Sequence, residues 1–350
     1  MKTFGRRARF WVKEIGNVKC LVCERKCTIA PGRLGICRNY RNIDGVLYNI
    51  GYGKVSAIES RPIEIKPLFH YWPNSTSTTF SFWGCNFYCP WCQNFHISFE
   101  HPENHNRVTP PEHLLHAALK LEDDGFSASF NEPSVSVEYI LDLAKLASEK
   151  GLYFTVVTNG YQTINVIEEL LRHGVDGWSI DIKGCPRIKR VLPNIDHSIV
   201  YRNAKYILSR GGHVEMVYLV VTNTNDFDEC VDWILDSHLS ALGPETPLHI
   251  NRYYPSHRWS EPATPIEKLL DIASKAKKAG IEYVYVGNIG NPELESTRCP
   301  RCNKMLIYRY SYRVVEFNVV KEGGAYRCPR CSHIIPIRGE YVPRKNTILF

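Results

Sequence analysis

Thirteen cysteines are spread over 350 residues, and eleven of them fall into three tight groups. Four lie at Cys20, Cys23, Cys27 and Cys37, three at Cys85, Cys89 and Cys92, and four at Cys299, Cys302, Cys328 and Cys331. No other feature constrains the chain as much, because each group must be drawn around one point in space. The opening stretch MKTFGRRARFWVKEIG is basic but lacks the apolar run of a signal peptide, and no run of about 18 apolar residues is present to cross a membrane. The expected setting is the cytoplasm, where thiols stay reduced and grouped cysteines ask for metal rather than disulfides. The two cysteines outside the groups, Cys185 and Cys230, read as inert buried thiols.

Length alone allows two or three units at about 150 residues each. The formal charge of +7 is mild for 350 residues and fits a solvated surface as readily as an acidic partner. Between about 76 and 286 short β-rich runs alternate with helix-periodic segments. Strands are expected near 78–83, 126–130, 152–158, 177–182, 214–221 and 249–253, with a further edge strand at 282–286. Helices are expected over 135–149, 164–173, 199–209 and 265–278, several closed by glycines such as Gly151, Gly174, Gly211 and Gly280. Alternation of this kind defines an α/β fold with a parallel sheet. The expected organisation is an N-terminal four-cysteine module over 1–75, a core over 76–296 and a C-terminal module over 297–350.

The central group sits in GCNFYCPWCQNF, directly after the first core strand, where α/β folds gather their active sites. A cubane [4Fe–4S] cluster takes one thiolate per iron, so three cysteines leave one iron open to a small molecule. Three zinc ligands completed by His96 are the plainer alternative.

Cys85-Asn-Phe-Tyr-Cys89-Pro-Trp-Cys92 resembles the C-x3-C-x-aromatic-C signature of the radical S-adenosylmethionine enzymes, with Trp91 in the aromatic slot. The resemblance implies a partial (β/α)6 barrel, a [4Fe–4S] cluster on the three cysteines and S-adenosylmethionine chelated at the open iron. It also implies reductive cleavage of that cofactor to a 5′-deoxyadenosyl radical. Further stretches are similar to cofactor-seating segments of that family. Asn131-Glu132-Pro133 resembles the segment that receives the methionine ammonium, for which a carboxylate suits a cation. Thr158-Asn159-Gly160 and Asp181-Ile182-Lys183-Gly184 resemble stretches near the methionine end, and His249 resembles a histidine that contacts the ribose. The branch implied is that of pyruvate formate-lyase activating enzyme. Members of it that hold a monovalent cation carry an acid before Thr-Asn-Gly, where this chain has Val157.

At the C-terminal end, Cys299-x2-Cys302 and Cys328-x2-Cys331 form two knuckles suited to a closed tetrahedral zinc site, a zinc ribbon. Its arginines Arg298, Arg301, Arg309, Arg313, Arg327 and Arg330, with Tyr308, Tyr310 and Tyr312, read either as a docking surface or as solvated loops around a stability staple. The N-terminal set, Cys20, Cys23, Cys27 and Cys37, leaves zinc and an auxiliary iron–sulfur cluster both open. Together with Pro31-Gly-Arg-Leu-Gly35 and Tyr283-Val-Tyr-Val-Gly-Asn288, the arrangement resembles the AmmeMemoRadiSam-system radical enzymes over nearly the whole chain.

The leading expectation is therefore an oxygen-sensitive radical enzyme served by an electron donor of ferredoxin or flavodoxin type. A protein substrate is implied, with AMMECR-like or Memo-like proteins as partners that the resemblance brings in; neither membrane nor nucleic acid is expected. The alternatives are radical modification of a small molecule and a zinc-dependent binding module without catalysis.

Overall fold

The computed structural model describes residues 5–343, so the extreme ends of the two flanking modules, 1–4 and 344–350, lie outside the described residues. Its centre is one eight-stranded sheet. In chain order the strands are β1 (Ala57–Pro62), β2 (Thr76–Ser81), β3 (Gly125–Ala128), β4 (Tyr153–Thr158), β5 (Val175–Ile182), β6 (His213–Val220), β7 (Leu248–Arg252) and β8 (Val284–Gly287). They lie side by side in that same order, with β2 to β8 all parallel and β1 antiparallel at the edge. The helices between them are α1 (Pro111–Lys120), α2 (Val137–Glu149), α3 (Ile164–Arg172), α4 (Ser198–Ser209), α5 (Asp228–Leu242) and α6 (Ile266–Ala279). The six-stranded core expected from the sequence is present as an open barrel, extended by the seventh parallel strand β8.

The physical reasons are local. β4 reads YFTVVT, a β-branched and aromatic run buried almost throughout, as a strand covered on both faces must be. In α3 the apolar residues Val166, Ile167 and Leu170 fall on one face and are buried against the sheet. Gly280 ends α6 at φ +111, a left-handed turn that costs a residue with a Cβ more. Because every parallel strand points the same way, the segments following β2 to β7 emerge on one rim.

Three expectations need correction. Residues 57–62 do not belong to a separate N-terminal module, since β1 pairs along its whole length with β2 in the central sheet. Cys185 and Cys230 are both fully buried, but they are bonded to each other as a disulfide across 45 residues, so neither is an inert thiol. Arg309 is not part of a basic surface: it is 1% exposed. Its guanidinium donates to the carbonyls of Phe69 and Glu295 and to Thr297 Oγ1, and it stacks 4.4 Å over the Phe69 ring. It anchors the C-terminal module, two small three-stranded sheets, onto the barrel.

The N-terminal module also consists of two three-stranded sheets. It is fastened to α2 through Glu138, which accepts from Tyr40 Oη and Asn49 Nδ2, both at 2.9 Å, and from the Arg9 amide. A second seam runs from Cys23 and Glu24 to the turn after β4, where Glu24 N donates to Tyr161 O. Among the described residues no helix is long and apolar enough to cross a membrane.

Candidate active site

The cysteine loop leaves the barrel rim immediately after β2. Asn131 holds its entry: Nδ2 donates to the carbonyls of Phe82 and Gly84, at 2.9 and 2.6 Å. Asn94 Nδ2 donates to Phe130 O and fixes its exit. The loop between β7 and α6 closes over it, with Arg258 N donating to Pro90 O and Ser256 Oγ to Cys92 O. Trp91 is buried and meets the edge of Trp259 at 6.2 Å.

Glu132 caps the turn at Pro133 and is 2% exposed. Its carboxylate accepts from Ser134 N, Thr158 Oγ1, Asn159 N and Gln162 Nε2, all within 3.0 Å. Four donors fill what a carboxylate can accept. Burial nonetheless holds the carboxyl above its ordinary range, with the Asn159 and Ser134 amides pulling it down. The residue thus joins the ends of β3 and β4. Beyond it, Asn159 Nδ2 donates to Asn86 Oδ1 at 2.7 Å, tying β4 to the cysteine loop.

Lys183 follows β5 and pairs with Asp181 at 2.7 Å. Burial alone would lower the Lys183 ammonium, but Asp181 with Cys89 and Cys92 nearby outweighs it and raises the group. The same cation favours the thiolate of Cys89, although burial dominates and pushes that thiol up to about 12. Cys85 is likewise held well above the usual thiol range, by burial first and then by Glu132.

The rim therefore brings together Cys85, Cys89, Cys92, Trp91, Asn131, Glu132, Pro133, Thr158, Asn159, Asp181 and Lys183. His249 stands apart, on the amino-terminal half of β7. Its Nε2 lies 2.7 Å from Glu215, and its ring stacks on Tyr285 and against the edge of Phe69. Burial would raise the Glu215 carboxyl, but His213 and His249 together hold it well below the usual range. Neither Glu215 nor Asn86 was singled out by the sequence. The signals are an acid inside the apolar strand HVEMVYLV and an asparagine directly following the first loop cysteine. An open pocket is lined by Gln93, just past the loop, together with Tyr254, Asn288, Tyr310 and Tyr312.

Two arrangements of sulfur can be told apart. Cys299, Cys302, Cys328 and Cys331 place all four sulfurs within 4.8 Å of one another, with closest pairs at 3.5 and 3.6 Å. That suits one tetrahedral ion, which at 2.3 Å per bond spaces its thiolates about 3.8 Å apart. Among the described residues no other three ligand atoms of His, Cys, Asp or Glu pack so tightly. Cys85, Cys89 and Cys92 do not form so tight a group, and as three thiols on one loop they would leave one iron of a cubane without a cysteine. The residues present fit such a cluster.

A family model described as the radical SAM superfamily matches residues 81–234. The chain thus carries a radical SAM superfamily domain over these residues. It is 37% identical over 317 residues to uncharacterized protein MJ0808 of Methanocaldococcus jannaschii, covering 90% of this chain and 94% of that one. A second protein of that organism, MJ1227, provisionally named as a glycyl-radical enzyme activating enzyme, is 31% identical over 113 residues, 32% of this chain and 45% of its own length. Among solved structures, a radical SAM methyltransferase from Sphaerobacter thermophilus aligns with TM-score 0.49 and 14% identity, over 61% of this chain and 67% of that one. A domain of a pyruvate-formate lyase-activating enzyme from Bacteroides vulgatus aligns with TM-score 0.40 and 13% identity, over 47% of this chain and 99% of that one.

Proposed function

We propose that the protein is an activase-like radical enzyme that cleaves S-adenosylmethionine and uses the product on a residue of a separate protein. The observation that carries this reading is the convergence of the open three-cysteine loop with Asn159 and the Asp181–Lys183 pair on one rim of the barrel. Cys85, Cys89 and Cys92 would hold a [4Fe–4S] cluster, which would pass one electron from an external donor to S-adenosylmethionine, giving methionine and a 5′-deoxyadenosyl radical.

The chain's own residues do the rest. Lys183 keeps positive charge beside Cys89, which favours the thiolate state needed for ligation there. Glu132 acts as a bracket: with its acceptors engaged by Ser134, Thr158, Asn159 and Gln162, it orients the backbone and amide groups that seat the methionine end. Trp91 and Trp259 screen the loop from water. The open pocket lined by Gln93 and Tyr312 gives a polypeptide segment access to the rim.

The ribbon cysteines hold zinc in this reading, and the electron donor is of ferredoxin or flavodoxin type. A protein substrate is supported by the activating-enzyme likeness of the relative MJ1227, and AMMECR-like and Memo-like proteins are the partners to assay. The test is formation of 5′-deoxyadenosine by the anaerobically reconstituted chain with S-adenosylmethionine and dithionite, beside a Cys89→Ala variant. Product from the native chain alone is expected. No product from a protein with iron at this loop, even with a protein partner supplied, would overturn the reading.

A further inference from the structure

The N-terminal set is the cysteine group that serves neither the radical chemistry nor the ribbon. Cys20, Cys23, Cys27 and Cys37 come from a short strand, two turns and the segment after the Pro31–Gly35 turn, yet all four line a single cavity. Val22, Ile36 and Tyr40 of the module supply apolar wall, and the core closes the far side with Asn86 and Ser134. The site is therefore buried at the seam between module and barrel rather than displayed on a loop.

We infer that these four cysteines bind a second [4Fe–4S] cluster, adjoining the three-cysteine loop. The first argument is spacing. A single tetrahedral ion draws its four thiolates to about 3.8 Å from one another. The ribbon meets that condition, with all four sulfurs within 4.8 Å, whereas no three of the N-terminal sulfurs do. Their looser array around a shared cavity matches a cofactor in which each thiolate takes a different iron. The contrast between the two four-cysteine sets lies within one structure, so it does not depend on any external standard.

The second argument is a buried donor that has only a cysteine sulfur to bond. Asn86 is 2% exposed, and its Nδ2 has no oxygen or nitrogen partner, while it lies beside the Cys23 sulfur. Buried amide donors are ordinarily satisfied. An N–H directed at a ligated thiolate answers that need, and hydrogen bonds to sulfur are one of the means by which proteins tune such clusters. Asn86 also directly follows Cys85, and its Oδ1 accepts from Asn159. One side chain thus touches both the N-terminal cavity and the cofactor rim. Gly84 brings the backbones equally close, because any Cβ there would collide with the Cys37 carbonyl.

The proposal stands on the N-terminal cysteines alone and does not require the radical reading. The test counts metal and sulfide in the full chain after anaerobic reconstitution, with Mössbauer spectra on iron-57 protein. The native chain is expected to hold eight iron, eight sulfide and one zinc. A Cys85→Ala/Cys89→Ala/Cys92→Ala variant is expected to keep four iron and four sulfide. If that variant does not fold, the native count still decides. Four iron with two zinc in the native chain, or two iron and two sulfide left in the variant, would overturn the second cubane. Four iron in the native chain that survive intact in the variant would uphold it and remove the radical site instead.

Discussion

Gly84 approaches Cys37 so closely that a Cβ on Gly84 would lie 2.5 Å from the Cys37 carbonyl oxygen. The same carbonyl accepts from Asn39 Nδ2, which also donates to Trp83 O at 2.7 Å. The entry to the three-cysteine loop and the last N-terminal cysteine are therefore held as one piece. Gly84 also has φ +86, where side chains are strained. Gly84→Ala is expected to lose about 2–4 kcal/mol of stability and to lower iron content, read by urea unfolding and metal analysis.

Glu132 satisfies four donors from two segments, the Pro133 turn and the end of β4. Removing the carboxylate leaves those donors buried without an acceptor, at about 1–3 kcal/mol for the first of them. Glu132→Ala is expected to destabilise the chain by about 3 kcal/mol and to weaken S-adenosylmethionine binding at least tenfold. Equilibrium binding to the reconstituted protein checks this. Unchanged affinity would remove the bracket role.

The ribbon should be separable from the chemistry. Arg309 binds it to the core through the Phe69 carbonyl, and its bond to Thr297 lies within the module. Arg309→Met is expected to lower Tm, since it strands the Phe69 carbonyl, while 5′-deoxyadenosine formation stays within twofold. Chelation of the ribbon metal should likewise lower Tm and leave the iron count unchanged.

Three buried histidines set a pH dependence of stability. Burial pushes His70 down to about 3 and His197 and His238 down to about 4. The unfolded chain takes up these protons near pH 6.5, whereas the folded chain does not until far lower pH. More protons on the unfolded chain means that stability falls as pH drops from 6.5 to about 4 and is level above 7. Each group contributes up to about 1.4 kcal/mol per pH unit in that window. His238→Gln should shallow the slope between pH 7 and 5 in urea titrations.

Much of the core was legible because its signals are local. The YFTVVT run at β4 and the apolar spacing of α3 announce themselves, and so does the three-cysteine loop at the end of β2. What escaped depends on distant pairing. β1 joins β2 across the chain segment 63–75, and nothing in its own residues says which sheet it extends. Cys185, in the segment after β5, meets Cys230 on α5 across 45 residues of sequence. Arg309 and Glu215 look like surface charges until the fold buries them beside Phe69 and His249. The same holds for the close approach of the four ribbon sulfurs, which cysteine spacing in sequence does not give.

The most direct test of the radical site is electron paramagnetic resonance of the reduced protein with and without S-adenosylmethionine, using a Cys20→Ser/Cys23→Ser/Cys27→Ser/Cys37→Ser variant to leave one cluster in view. An iron left open by Cys85, Cys89 and Cys92 must change its ligands when the cofactor binds. The account predicts a reduced [4Fe–4S] signal whose g values shift on adding S-adenosylmethionine and do not shift with adenosine. Identical spectra with and without a saturating cofactor, in protein holding four iron at this loop, would contradict it.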